Sequence, residues 1–208
     1  MEDFTFESFE FGEMGSMGTS DKLETEHMPG SRNALKRSAR HRFRRDLRVK
    51  ELEVLFPEME AGYVYHVISG GRFDSFNFAP MLFRRFGVIR EYWFTTWALN
   101  RDNVVDMLGM FDRGEIGGIH AFVGTYLKRR ETAVYGLLLK GLQERGQRMK
   151  AFKNHTKVQV FRMGGIDIVV EGSANLTANH NCENFVVSVG AGDLADFHCG
   201  WLEEMMDK

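Results

Sequence analysis

Residues 149–189 read MKAFKNHTKVQVFRMGGIDIVVEGSANLTANHNCENFVVSV, and the order of apolar, glycine and polar residues along this stretch decides the fold. Residues 149–163 and 166–170 are rich in β-branched and aromatic side chains, with Gly164 and Gly165 between them, which predicts a hairpin of two strands turned on glycine. Residues 185–189 predict a further strand. Beyond it, Leu194, Phe197, Trp201, Leu202 and Met205 recur at helical spacing, so 193–206 is expected to be a closing amphipathic helix.

Upstream the alternation of strand and helix begins near Gly62. Residues 63–69 form a strand pattern ended by Gly70 and Gly71. Residues 78–86 fit a short helix, and 88–99 fit a buried strand. Asn100 or Asp102 is placed to cap a helix that carries Val104, Val105, Met107, Leu108 and Phe111 on one face. Residues 115–126 predict another strand, with Gly117 and Gly118 inside it. Residues 132–145 predict a helix through Val134, Leu137, Leu138 and Leu142 that stops at Gly146. Strands alternating with helices predict an α/β fold, a mixed β-sheet flanked by helices.

The chain has 208 residues, of which 43% are hydrophobic, 12% aromatic and 27% charged, with 3 prolines. That describes one globular domain with appendages and excludes global disorder. No stretch approaches the roughly 20 apolar residues of a membrane helix. The N-terminus lacks the positive charge and apolar core of a secretion signal, so the cytoplasm is the expected compartment. Cys182 and Cys199 have no metal-ligand spacing, and no structural zinc is expected.

The net charge of −2 conceals segregation. Residues 1–26 hold eight acids against Lys22, a net of −7, and 1–30 are expected to form a disordered acidic tail. Residues 31–50 hold nine bases against Asp46, a net of +8. A helix starting at Ser31 or Asn33 would spread Arg37, Arg40, Arg42, Arg44 and Arg45 over most of its faces. This basic arm is either a patch that neutralises phosphates or a solvated extension. The globular domain is then expected over 51–208.

His155-Thr156-Lys157, read as part of a strand, puts an imidazole and an ammonium on one face, since side chains two apart share a face. A neutral imidazole can attack phosphorus, and a nearby ammonium neutralises the non-bridging oxygens. Downstream, Ser173 and Asn175 set a hydroxyl and an amide on one face, after Gly172, which lets a backbone come close to a ligand. Glu183 supplies a carboxylate able to accept the other imidazole N–H and fix its tautomer. Trp93, Thr95 and Trp97 share a face of the earlier strand and either line the pocket or belong to the core. Each residue alone is ordinary; their order and spacing carry the information.

That order resembles the phospholipase D superfamily, whose motif is His-x-Lys, four residues, Asp, then Gly-Ser-x-Asn. Here His155-Thr-Lys157 is followed by Gly172-Ser-Ala-Asn175 and by Asn181-Cys-Glu183. The departure is Arg162 at the Asp position, with Asp167 the nearest acid. The resemblance covers about 62–208 and implies a phospholipase D-like half-domain. It implies a metal-independent phosphodiesterase without cofactor, in which His155 is nucleophile and acid. Lys157 and Asn175 would hold phosphate, Ser173 would donate to it, and Glu183 would orient His155. None of the other six histidines is followed by Lys two residues on, so the chain carries one motif, and the family's need for two implies a homodimer.

The basic arm and a second cluster, Lys128, Arg129 and Arg130, favour a polyanion, and nucleic acid is the expected substrate, as in a nuclease on DNA or RNA. A membrane partner is not expected. Two alternatives stand beside this reading: a nucleic-acid-binding protein that has lost turnover, and a phospholipase or phosphatidyl transferase.

Overall fold

A computed structural model describes residues 35–71, 73–177 and 181–207, with side chains from Arg44 onward. The acidic tail expected over 1–30 lies outside the described residues, as do the side chains of Arg37, Arg40 and Arg42.

Among the described residues seven strands make one mixed sheet: β1 (Val64–Ser69), β2 (Ile89–Thr96), β3 (Ile119–Gly124), β4 (Arg148–Phe152), β5 (Val158–Met163), β6 (Asp167–Gly172) and β7 (Glu183–Val189). Their spatial order is β1-β7-β6-β5-β2-β3-β4. β2, β3 and β4 run parallel, and the other neighbours pair antiparallel. β5 therefore sits at the centre with both faces covered, and all of its residues but Arg162 are buried, Gln159 included.

Among the described residues six α-helices flank the sheet: α1 (Leu35–Leu55), α2 (Phe78–Phe86), α3 (Arg101–Asp112), α4 (Thr125–Arg130), α5 (Thr132–Gln143) and α6 (Gly192–Asp207). Alternation along each strand divides the core in two. Tyr92, Phe94, Phe161, Ile168 and Phe185 join the larger cluster with α1, α2, α3 and α5. Trp93, Phe122, Val158, Val160 and Val169 pack instead beneath Ala195, Cys199 and Leu202 of α6. Fully burying one such aliphatic or aromatic side chain is worth about 1.5–3 kcal/mol.

The expected hairpin is β5–β6, turned at Gly164 and Gly165, the latter at φ 129°. Asn100 caps α3, its side chain accepting from Asn103 N at 2.8 Å. Several expectations need correction. The strand expected over 149–163 is two strands, β4 and β5, with 153–157 crossing between them. The break follows from Asn154, whose Oδ1 accepts from Thr156 N at 2.9 Å and turns the chain out of the ladder. Residues 115–118 precede β3 rather than belong to it. Gly117 lies so close to β2 that a Cβ there would stand 2.9 Å from Arg90 O. The same expected strand stops at Gly124, and Lys128, Arg129 and Arg130 form the last turn of α4.

The boundary expected at residue 50 falls inside α1, whose Val49 and Leu52 are fully buried. Arg45 is likewise a core residue and not a surface cation. Its Nη1 donates to Asn77 Oδ1 at 2.9 Å and its Nε to Asp106 at 3.0 Å, its Nη2 reaches Asn103 Oδ1, and Asp74 lies at 3.4 Å. The guanidinium stands 5.0 Å from the Phe76 ring centroid. Arg44, one residue earlier, is exposed.

Candidate active site

The parallel pair β2–β3 sets the position of the site. β4 ends with Phe152 beside Gly124, and β5 begins with Val158 beside Thr95, so 153–157 must cross the carboxyl ends of β3 and β2. In open α/β sheets that edge is where ligands bind. Thr95 anchors the crossing, its Oγ1 accepting from Val158 N at 2.9 Å and lying 2.9 Å from Thr156 Oγ1.

His155 and Lys157 therefore lie on a connection and not on a strand, yet they meet. Lys157 Nζ is 3.2 Å from His155 Nδ1 and donates to His155 O at 2.7 Å. A charged ammonium in that contact makes Nδ1 the acceptor and leaves the ring proton on Nε2. Burial holds the Lys157 pKa below the ordinary lysine value, while the charge of Glu183 opposes the shift.

The second half of the motif is the neighbour of the first by register. Val158 pairs with Glu171, and Gly172 N donates to Lys157 O at 3.2 Å. Gly172, expected to admit a ligand, instead admits the backbone of β7. Ser173 is tied to β7: its Oγ donates to Glu183 Oε2 and accepts from Asn184 N at 3.1 Å. Glu183, expected to orient His155, thus receives the Ser173 hydroxyl. Asn175 turns its Oδ1 to Trp97 N at 3.1 Å and Ala98 N at 3.3 Å, fixing the segment that follows β2.

That segment carries Trp97, which stacks on Tyr126 with centroids 3.9 Å apart and planes at 20°, and meets the His155 ring edge-on at 5.6 Å. Trp97, Tyr126, Arg129, Arg130, Lys153, Asn154 and His155 line an open cleft of about 620 Å³. Of the expected basic cluster, Arg129 and Arg130 reach this cleft, while Lys128 Nζ lies 6.0 Å from the Tyr135 ring centroid. Trp93 and Thr95 are core, Trp93 stacking on His120 at 3.7 Å. Sequence reasoning missed Tyr126 and Asn154. Asn154 sits next to His155, and an Asn at the point where an apolar run breaks is a turn signal.

Arg162, at the position of the family's Asp, is held by Asp167 at 3.1 Å and by Asp196 at 2.5 Å. It stands five residues along β5 from Lys157, roughly 16 Å at strand rise. Among the described residues no three His, Cys, Asp or Glu side chains gather as a metal site.

No protein-family model matches the sequence, and no curated protein does. Solved structures do share its fold. Nuc from Salmonella typhimurium, a phospholipase D family member, matches with a TM-score of 0.52 and 16% identity, over 70% of this chain and 94% of Nuc. Polyphosphate kinase from Porphyromonas gingivalis matches with a TM-score of 0.50 and 14% identity, over 70% of this chain and 26% of the kinase. NucT from Helicobacter pylori matches with a TM-score of 0.48 and 14% identity, over 70% of this chain and 97% of NucT.

Proposed function

From the premise that the chain has the phospholipase D superfamily fold, we propose that it is a metal-independent phosphodiester hydrolase, a nuclease working as a homodimer. The observation that carries the proposal is the contact of Lys157 Nζ with His155 Nδ1, beside Gly172 and at the carboxyl ends of β2 and β3.

An entering phosphodiester competes for the Lys157 ammonium, whose charge moves from Nδ1 to a non-bridging oxygen. With the ammonium gone from Nδ1, the ring proton passes through water from Nε2 to Nδ1, and Nε2 of this neutral His155 attacks phosphorus, forming a P–N bond as the P–O bond to the leaving alcohol breaks. The leaving oxygen takes its proton from the partner's His155, which now serves as base for water. Water breaks the P–N bond and releases the phosphate monoester. Asn175, whose Oδ1 is held by backbone amides, assists as a donor through its Nδ2, and Ser173, whose hydroxyl proton goes to Glu183, fixes the loop between β6 and β7. The ammonium charges supply the neutralisation that a divalent ion supplies in other phosphoryl-transfer sites.

Nucleic acid is favoured over lipid because Arg129, Arg130 and Lys153 line the same cleft as His155 and can meet successive phosphates. No helix among the described residues is long and apolar enough to cross a membrane.

Cleavage of single-stranded and duplex DNA and of RNA in EDTA, by the wild-type chain and by His155→Ala, tests the proposal. Cleavage that persists in EDTA, vanishes in the variant and elutes at twice the chain mass supports it. Binding without cleavage would replace the hydrolase with a phosphate-binding protein, and release of headgroup from liposomes without nucleic-acid cleavage would replace it with a phospholipase.

A further inference from the structure

We propose that the cleft beside His155 is a stacking site for an unpaired nucleobase, so that the chain acts on single-stranded rather than duplex nucleic acid. The proposal rests on the phosphodiesterase reading and adds its substrate class.

Trp97 and Tyr126 come from two separate elements, the segment after β2 and the start of α4, and the fold takes care to bring them together. A Cβ on Gly124 would lie 3.0 Å from Trp97 Cδ1 and 2.9 Å from Asn154 O, so the residue before α4 has no side chain where the ring passes. Asn175 Oδ1 accepts from the Trp97 amide and fixes the backbone under the ring. The two rings are half-buried, and both face the cleft that His155 lines. A stacked aromatic pair serving only as core packing would sit beneath a helix, as Trp93 does.

Its surroundings define the ligand. Arg129, Arg130 and Lys153 line the same cleft and can track a phosphate backbone, while His155 marks the reacting phosphate. An aromatic surface inside a cationic groove is the means by which proteins hold single strands: each base has a π-face, whereas a duplex keeps its faces inside the stack. Asn154 is a second, independent sign. It is 7% exposed, it lines the cleft, and its Nδ2 is buried without a hydrogen-bond partner, although its Oδ1 is engaged by Thr156 N. An unpaired buried donor is costly, and an acceptor entering the cleft wall relieves it. Stacking does not distinguish the bases by hydrogen bonding, so little sequence preference is expected.

The test is binding by full-length His155→Asn protein, chosen so that turnover cannot consume the probes, measured by fluorescence anisotropy at one fixed salt concentration. The probes are oligothymidylate, oligouridylate, an abasic oligomer and a duplex, all of one length. The abasic oligomer has the phosphates without the bases. The expected result is that thymidylate or uridylate binds about 5- to 150-fold more tightly than the abasic oligomer, the fold-change for one stacked base. The order of thymidylate and uridylate tells DNA from RNA. Trp97→Leu and Tyr126→Leu should each bring the ratio towards one. Equal binding of thymidylate, uridylate and abasic oligomer, or a duplex bound as tightly as the single strands, overturns the stacking site. Failure of wild-type cleavage would overturn the phosphodiesterase reading and leave these ratios standing, so the two can fail separately.

Discussion

Gly172 and Asn184 face each other across β6 and β7 so closely that a Cβ on Gly172 would lie 2.2 Å from the Asn184 carbonyl oxygen. The obstacle is backbone, held in the ladder by the pairing of Gly172 with Phe185 and by Ser173 N donating to Asn184 O at 3.1 Å. The glycine that opens the second half of the motif therefore serves strand packing first. Gly172→Ala should cost about 1–3 kcal/mol by overpacking, read as a lowered denaturant midpoint. An unchanged midpoint would show that β7 moves aside freely.

Arg45 belongs to the interior network of Asp74, Asn77, Asn103 and Asp106. Removing it strands Asp74, which is 2% exposed and has Arg48 as its remaining ion partner, 3.6 Å away. Arg45→Ala should cost about 3–5 kcal/mol, the loss typical of one partner of a buried pair. Arg44→Ala at the neighbouring exposed site should stay within about 0.5 kcal/mol. Equal stabilities in a urea titration would return Arg45 to the surface patch.

In the proposed reaction Lys157 acts as a cation, so activity should fall as it deprotonates. Burial lowers its pKa, which sets the alkaline limb of kcat/KM below the ordinary lysine value of about 10.4. For stability the sign is opposite. A lysine depressed in the folded state opposes folding while it is charged, and that penalty is relieved as pH rises through the folded pKa towards the unfolded one. Lys157→Arg should keep activity flat through this alkaline window. A limb that stays in place in the variant would assign it to another group.

Arg162→Asp would bring the sequence nearer to the family motif, but the structure predicts harm. The new carboxylate would stand beside Asp167 and Asp196, which Arg162 now bridges. Thermal stability should fall at neutral pH and recover as pH approaches 4, where carboxylates protonate, and cleavage should not rise. A gain in turnover would show that Arg162 governs the chemistry.

The fold was legible where one physical cue dominated. Gly164-Gly165 marked the hairpin, Asn100 marked the start of α3, and the dense aromatic and β-branched residues of 88–99 marked the buried strand β2. It was illegible where a local side-chain bond overrode periodicity. Asn154 capturing Thr156 N converts a run of strand-forming residues into the crossing that carries His155. The motif residues were legible by spacing: His155 meets Lys157, Gly172 N donates to Lys157 O, and Asn175 holds the segment of Trp97, whose ring meets His155. Their partners were not: Glu183 serves Ser173, and Asn175 Oδ1 serves Trp97 N, because such bonds depend on register between distant strands. Tyr126 was hidden for the same reason, since α4 begins at Thr125, where the sequence still reads as strand.

Covalent catalysis by His155 is the centre of the account, and trapping the intermediate tests it most directly. Wild-type protein mixed with a labelled oligonucleotide in EDTA would be quenched in base during turnover, digested, and the peptide carrying His155 weighed. The account predicts a nucleotidyl phosphoramidate on His155 that forms early, disappears as substrate is exhausted and is absent from His155→Asn. Cleavage that proceeds without an adduct on that peptide, and that survives in His155→Asn, would contradict it.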